Sequence, residues 1–143
     1  MRTSYLNAVY ALQLAGKADA VETIYVDRNN RVLEGTTSNF FLVKGDKLVT
    51  AGDGILPGIT RSVILDLVKG RFDVEIRDID RSELDAMDEA FVTASNKEVV
   101  PVVRVDDRIV SDGKPGEKTL EIMGLFNTFT MAWGQGGPQA KGR

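Results

Sequence analysis

Between Thr23 and Thr50 the chain carries two hairpin patterns back to back, and no other feature restricts its fold as much. Thr23 to Asp27 is β-branched and aromatic, DRNN at 27–30 is a turn, and Arg31 to Leu33 leads away from it. Phe40 to Val43 follows, KGDK at 44–47 turns, and Leu48 to Thr50 runs back. Strands joined by turns this short pair antiparallel. Between the hairpins, EGTTSN at 34–39 interrupts the apolar pattern with an acid, a glycine and four small polar side chains. A strand break accounts for the glycine. It does not account for an acid with so many hydroxyls and an amide beside it.

Apolar residues at helical spacing predict helices over 3–15, 60–69 and 117–133, and a short acidic helix over 81–87. Shorter apolar runs predict strands over 74–77, 89–93 and 99–105, the last broken by Pro101. Strands and helices mix without regular βαβ alternation. The expected fold is therefore α/β of the α+β type, with a mixed, largely antiparallel sheet and helices. Residues 1–133 are expected to form one domain, and the glycine-rich 134–143 to be a disordered tail.

Composition narrows the chemistry. The sequence has no histidine and no cysteine, which removes the usual general base, the commonest metal ligand and all thiolate chemistry. No metal site is expected, and any reactive group is expected to be brought in. A net charge of −3 gives no reason to expect nucleic acid or an anionic membrane as partner. The apolar runs fall far short of the ~18 residues a membrane span needs. A cytoplasmic location is the expectation.

The informative polar groups lie in three loops, each after a strand: EGTTSN (34–39), LPGITR (56–61) and TASNKE (93–98). In the second, Gly58 and Ile59 open a helix, whose unpaired N–H groups and positive dipole end favour an anion. Thr60 adds a hydroxyl there, and Ser95 and Asn96 stand at the end of the third strand. On residue chemistry alone this is an α/β domain with a possible anion seat at one helix end.

Taken in order, EGTTSNFF (34–41), LVT (48–50), GILPGITR (54–61), DEAFVTASNKEVVPV (88–102) and DGKPG (112–116) resemble the motifs of class IV, or fold-type IV, pyridoxal-phosphate enzymes. That family includes branched-chain-amino-acid aminotransferases, D-amino-acid aminotransferases and aminodeoxychorismate lyases. The resemblance covers the family's larger, C-terminal domain. It implies pyridoxal 5'-phosphate as cofactor, held across the three loops. Glu34 matches the carboxylate that keeps the pyridine nitrogen protonated. Thr37, Ser38 and Asn39 match positions that line the ring or fix the loop, and Leu56 an apolar side chain against the ring face. Gly58, the Ile59 and Thr60 amides, and the Thr60 and Ser95 hydroxyls match the phosphate cup. No arginine in these motifs is obviously placed for the phosphate. Tyr5 matches a tyrosine on the cofactor's phenolic oxygen in branched-chain-type members.

One departure stands at the start. The family's Schiff-base lysine aligns with Met1, and neither Lys17 nor Lys97 replaces it. The resemblance also leaves the family's small N-terminal domain, with its phosphate-binding arginine, unmatched, and AGD before GILPG is shorter than the family pattern. The expected function is transamination between amino acids and 2-oxo acids, branched-chain-like, in a homodimer. The chain alone is expected to be inactive, with no catalytic residue of its own. The alternatives are an aminodeoxychorismate-lyase-like enzyme and a non-catalytic cofactor-binding or dimerisation module.

Overall fold

The computed structural model describes residues 4–10, 20–56, 58–95 and 98–134. The first hairpin joins β2 (Ala20–Val26) to β3 (Arg31–Gly35). Asp27 builds its turn: its Oδ1 accepts the N–H groups of Asn29 and Arg31, both at 2.9 Å, while Asn30 takes the left-handed φ of 63°. The second hairpin joins β4 (Asn39–Lys44) to β5 (Lys47–Thr50), with Gly45 at φ 60°. After β5 come α1 (Ile59–Leu67), β6 (Asp73–Ile76), β7 (Ile79–Asp80) and a 3-10 turn at Arg81–Asp85. Next are β8 (Glu89–Ala94), β9 (Glu98–Val105), β10 (Arg108–Ile109) and α2 (Glu117–Gly134).

The start of the chain overturns one expectation. Residues 4–10 form not a helix but β1 (Ser4–Tyr10), antiparallel to both β2 and β9. Pairing on both edges outweighs a local apolar spacing that fits either period. The acidic helix over 81–87 is a five-residue 3-10 turn capped by Asp80. Pro101 does not break β9: it lies opposite Phe91 of β8, one residue past Val102, the last partner of β1. Residues 11–19 and 135–143, which hold the rest of the first predicted helix and nearly all of the predicted tail, lie outside the described residues.

All ten strands share one sheet, in the order β6-β5-β4-β8-β9-β1-β2-β3-β7 with β10 on β9. Only β5–β6 is parallel among these pairings. The fold class is as expected, a mixed and mainly antiparallel sheet with helices. The path also bends back on itself. One edge of β4 carries β8 along Asn39–Val43; the other carries β5 from Phe41 and, at Asn39, touches Glu34 of β3. So β4, β8, β9, β1, β2 and β3 curl round one interior, and the Glu34–Asn39 contact is their seam.

Alternation sorts the side chains. Phe40, Leu42, Ile24, Val26, Val92 and Val102 fill the interior. Phe41, Val43 and Phe91 point outward under α1 and α2, meeting Ile64, Val68, Ile122 and Phe126. Asn39 shares the outward face with Phe41, while Ser38 shares the inward face with Phe40.

Candidate functional site

The seam brings a carboxylate, an amide and a hydroxyl into one row. Glu34 lies opposite Asn39, and Asn39 lies opposite Thr93 on its other edge, so all three occupy the outward face. Asn39 is buried and divides its amide between neighbours. Its Nδ2 donates to the Leu56 carbonyl at 3.0 Å and to Glu34 Oε1 at 3.4 Å. Glu34 Oε1 also accepts the Leu56 N–H at 3.1 Å. The first loop therefore holds the peptide groups of Leu56 just before α1 begins.

Gly58 is needed for room. Its φ of −84° is open to any residue, but a Cβ there would lie 2.3 Å from Asn39 Oδ1. The start of α1 is left open. Gly58, its N-cap, makes no side-chain capping bond, and the first turn holds no acid. Thr60 and Arg61 are buried in that turn. Arg61 donates from a terminal nitrogen to the Ala51 carbonyl at 3.0 Å, which ties α1 to the end of β5, while its Nε has no partner. Burial lowers the Arg61 pKa, but a guanidinium keeps its charge. The Thr93 hydroxyl, on a residue 1% exposed, is likewise without a partner. Unpaired buried polar atoms are uncommon; here one lies in the first turn of α1 and the other across the ladder from Asn39, which itself reaches Leu56 and Gly58.

Leu56 and Ile59 are 76% and 78% exposed, so both present apolar side chains at the mouth of the site. Ser95 is exposed just after β8. The backbone of Tyr5 pairs with Tyr25; its side chain, Met1, Asn96 and Lys97 lie outside what is described. The first two loops thus touch, and the third adjoins them through the β4–β8 ladder.

Thr37 and Ser38 face away from that row. With Thr36 they close on Glu22, a buried carboxylate on the inner side of β2. Burial works against the charge of Glu22. Hydrogen bonds from the Thr36 and Ser38 hydroxyls and the Thr23 and Thr37 amides outweigh it, leaving the carboxyl below its ordinary value. Of the two roles implied for Thr37 and Ser38, the contacts are those of fixing the loop. Sequence reasoning missed Glu22, Arg61 and Thr93. For Glu22 a signal was present: it falls in step with the inward Ile24 and Val26, where an acid is out of place.

A polar cavity of about 930 Å³ lies elsewhere, between Asn30, the 3-10 turn and the β10 hairpin. It sits at the opposite ends of β3 and β9 from Glu34 and Ser95, and no predicted site residue lines it. Among the described residues no cluster of acids could hold a metal, and no helix is long and apolar enough to cross a membrane.

The fold and site are thus a curled, largely antiparallel sheet with an acid and an uncapped helix start at its seam. Residues 2–105 match the family described as amino-transferase class IV, and the chain belongs to that family. It is 35% identical to branched-chain-amino-acid aminotransferase-like protein 2 of Arabidopsis thaliana, over 87% of this chain and 23% of that one. The branched-chain amino acid aminotransferase of Escherichia coli superposes with a TM-score of 0.72 at 34% identity, over 75% of this chain and 36% of that one. A second branched-chain amino acid aminotransferase, from T.th. and complexed with N-(5'-phosphopyridoxyl)-L-glutamate, superposes with a TM-score of 0.73 at 28% identity, over 90% and 41%. The chain spans less than half the length of each.

Proposed function

We propose that residues 1–133 form the pyridoxal-5'-phosphate-binding domain of an aminotransferase that moves amino groups between branched-chain amino acids and 2-oxo acids. One observation carries the reading: Glu34 and the open start of α1 are joined through Leu56, with Glu34 Oε1 3.1 Å from its N–H. An acid and an anion seat held at fixed separation suit a ligand with a basic ring nitrogen at one end and a phosphate at the other. The unpaired Thr93 hydroxyl and the acid-free first turn of α1 fit such a group.

When bound, the cofactor supplies an electron sink for bonds at the substrate's α-carbon. The chain's own residues do the rest. Glu34 holds a proton at the pyridine nitrogen by charge pairing. The Ile59 and Thr60 amides, beside Gly58, and the Thr60 and Ser95 hydroxyls bind phosphate, in the field of the α1 dipole and Arg61. Thr93 adds a hydroxyl that sequence reasoning left out. Asn39 fixes Glu34 and Leu56 to each other, and Thr37 and Ser38 stiffen the turn. The exposed Leu56 side chain would cover one face of the ring, and the family resemblance assigns Tyr5 to the phenolic oxygen. The exposed Ile76, Ile109 and Met131 are apolar surface for a second copy to cover, giving a homodimer, and we assign the protein to the cytoplasm.

The test is titration of the purified chain with pyridoxal 5'-phosphate, followed by cofactor absorbance. Saturable binding is expected, weakened roughly tenfold by Thr60→Ala, the equivalent of one charge-assisted hydrogen bond. Glu34→Gln is expected to change the spectrum of the bound ring. Binding indifferent to both substitutions, or no binding, overturns the reading.

A further inference from the structure

We infer that Glu22 is a positioning residue for the seam: its carboxylate fastens the 36–38 turn from inside the sheet and so holds Glu34 and Asn39 in place outside. As a statement about ligand binding, this rests on the function proposed above.

The argument begins with which donors Glu22 receives. Oε1 accepts the Thr36 hydroxyl at 2.6 Å and the Thr23 N–H at 3.1 Å. Oε2 accepts the Ser38 hydroxyl at 3.0 Å, the Thr37 hydroxyl at 3.2 Å and the Thr37 N–H at 3.3 Å. Hydroxyls can reverse their polarity, but main-chain amides cannot. Each oxygen takes one amide. A glutamine must therefore turn its amide hydrogens toward one of the two N–H groups in either orientation. A protonated acid keeps both amides only by pointing its hydrogen at a hydroxyl that reverses, whereas the ionised carboxylate accepts all five donors as they stand.

The turn packs on that carboxylate with no slack. A Cβ at Gly35 would lie 2.3 Å from Ser38 Oγ and 2.8 Å from Glu22 Oε2. Glu34 and Asn39 bracket the turn and are the one residue pair that joins β3 to β4, reinforced by the Gly35 N–H to the Ser38 carbonyl at 2.8 Å. A seam this short has little ladder of its own to set its geometry. The turn sets it, and Glu22 sets the turn. Glu34 then sets Leu56, whose N–H it accepts. The chain of contacts runs from one face of the sheet to the other, and Glu22 touches no part of the ligand seat itself.

The test compares Glu22→Gln with Glu89→Gln, which alters a second carboxylate that receives main-chain amides, those of Lys118 and Thr119, away from the seam. In the ligand-free full chain, nuclear magnetic resonance follows the Leu56 and Thr119 amides. Glu22→Gln is expected to shift the Leu56 amide and speed its exchange about tenfold, the equivalent of one lost charge-assisted bond, while Thr119 stays put. Glu89→Gln is expected to do the reverse. An unmoved Leu56 amide in folded Glu22→Gln overturns the inference, as does an equal response to both variants. Should Glu22→Gln fail to fold, Thr36→Val removes one donor and leaves the charge. It must shift Leu56 in the same direction by less, and no shift overturns the inference. Pyridoxal 5'-phosphate is then titrated separately, with affinity expected to fall about tenfold in Glu22→Gln only. Wild-type protein that binds none defeats the proposed function, while the amide result still decides the role of Glu22.

Discussion

The two helices meet the same physical demand in opposite ways. Each begins with main-chain N–H groups that no earlier turn can satisfy. At α2 the chain supplies the acceptor. Glu89, at the start of β8, accepts the Thr119 N–H and hydroxyl, both at 2.7 Å, and the Lys118 N–H at 3.1 Å. Glu117 adds a further acid in the first turn. Gly116 lets the carboxylate in, since a Cβ there would lie 2.0 Å from Glu89 Cδ. At α1 nothing of this kind is present: no side-chain cap, no acid, and an unpaired Thr93 hydroxyl at the far end of the same strand β8. One helix start is filled with a protein carboxylate. The other has no side-chain acceptor of its own, and the proposed function assigns it to an anion from outside.

The largest test of that contrast removes the built-in anion. Glu89→Ala is expected to destabilise the fold by about 3 kcal/mol in urea denaturation, because several amide and hydroxyl donors lose their acceptor together. A loss under ~1 kcal/mol would mean that α2 does not depend on its carboxylate, and the contrast would lose its filled member.

A middle-sized effect concerns Glu22, the third element of the comparison, which serves a turn as Glu89 serves a helix. Glu22→Gln is expected to cost about 1–2 kcal/mol at neutral pH. The folded carboxyl lies below its ordinary value, so its stabilisation is present above the unfolded pKa and is lost as pH falls through the folded one. The difference in urea midpoint between wild type and Glu22→Gln should therefore narrow on acidification. A gap constant down to strongly acid pH would show that ionisation of Glu22 is irrelevant to the clamp.

The smallest stability effect gives the sharpest result. Ile59→Asp places a charge at the open start of α1, on a side chain that leaves no core contact behind. It should stabilise the protein by about 0.5 kcal/mol through the helix dipole, while weakening binding of both inorganic phosphate and pyridoxal 5'-phosphate. Stabilisation with undiminished phosphate binding would put the anion seat elsewhere.

Much of the scaffold was legible because it is local. The DRNN and KGDK turns need residues that tolerate left-handed φ, and Asn30 and Gly45 supply it. The second loop was legible as an uncapped helix start because a helix opening on glycine lacks a side-chain acceptor of its own. The first predicted helix failed because Leu6, Val9 and Tyr10 suit two periods, and only β2 and β9 decide between them. Thr37 and Ser38 were legible as polar but not in direction, since their partner Glu22 is 15 and 16 residues away.

What the sequence determined by itself is therefore a set of short-range facts: two hairpins, a strand break with an acid in it, and a helix that starts without a cap. Each follows from contacts within a few residues, where residue type and spacing suffice. The tertiary structure alone decided that β1 is a strand, that the sheet curls until Glu34, Asn39 and Thr93 form one row, and that Glu22 locks the seam from behind. Those outcomes depend on which strand lies next to which. Burial then made Glu22 and Thr93 matter, because a polar group hidden from water must find a partner in the protein or await one from outside.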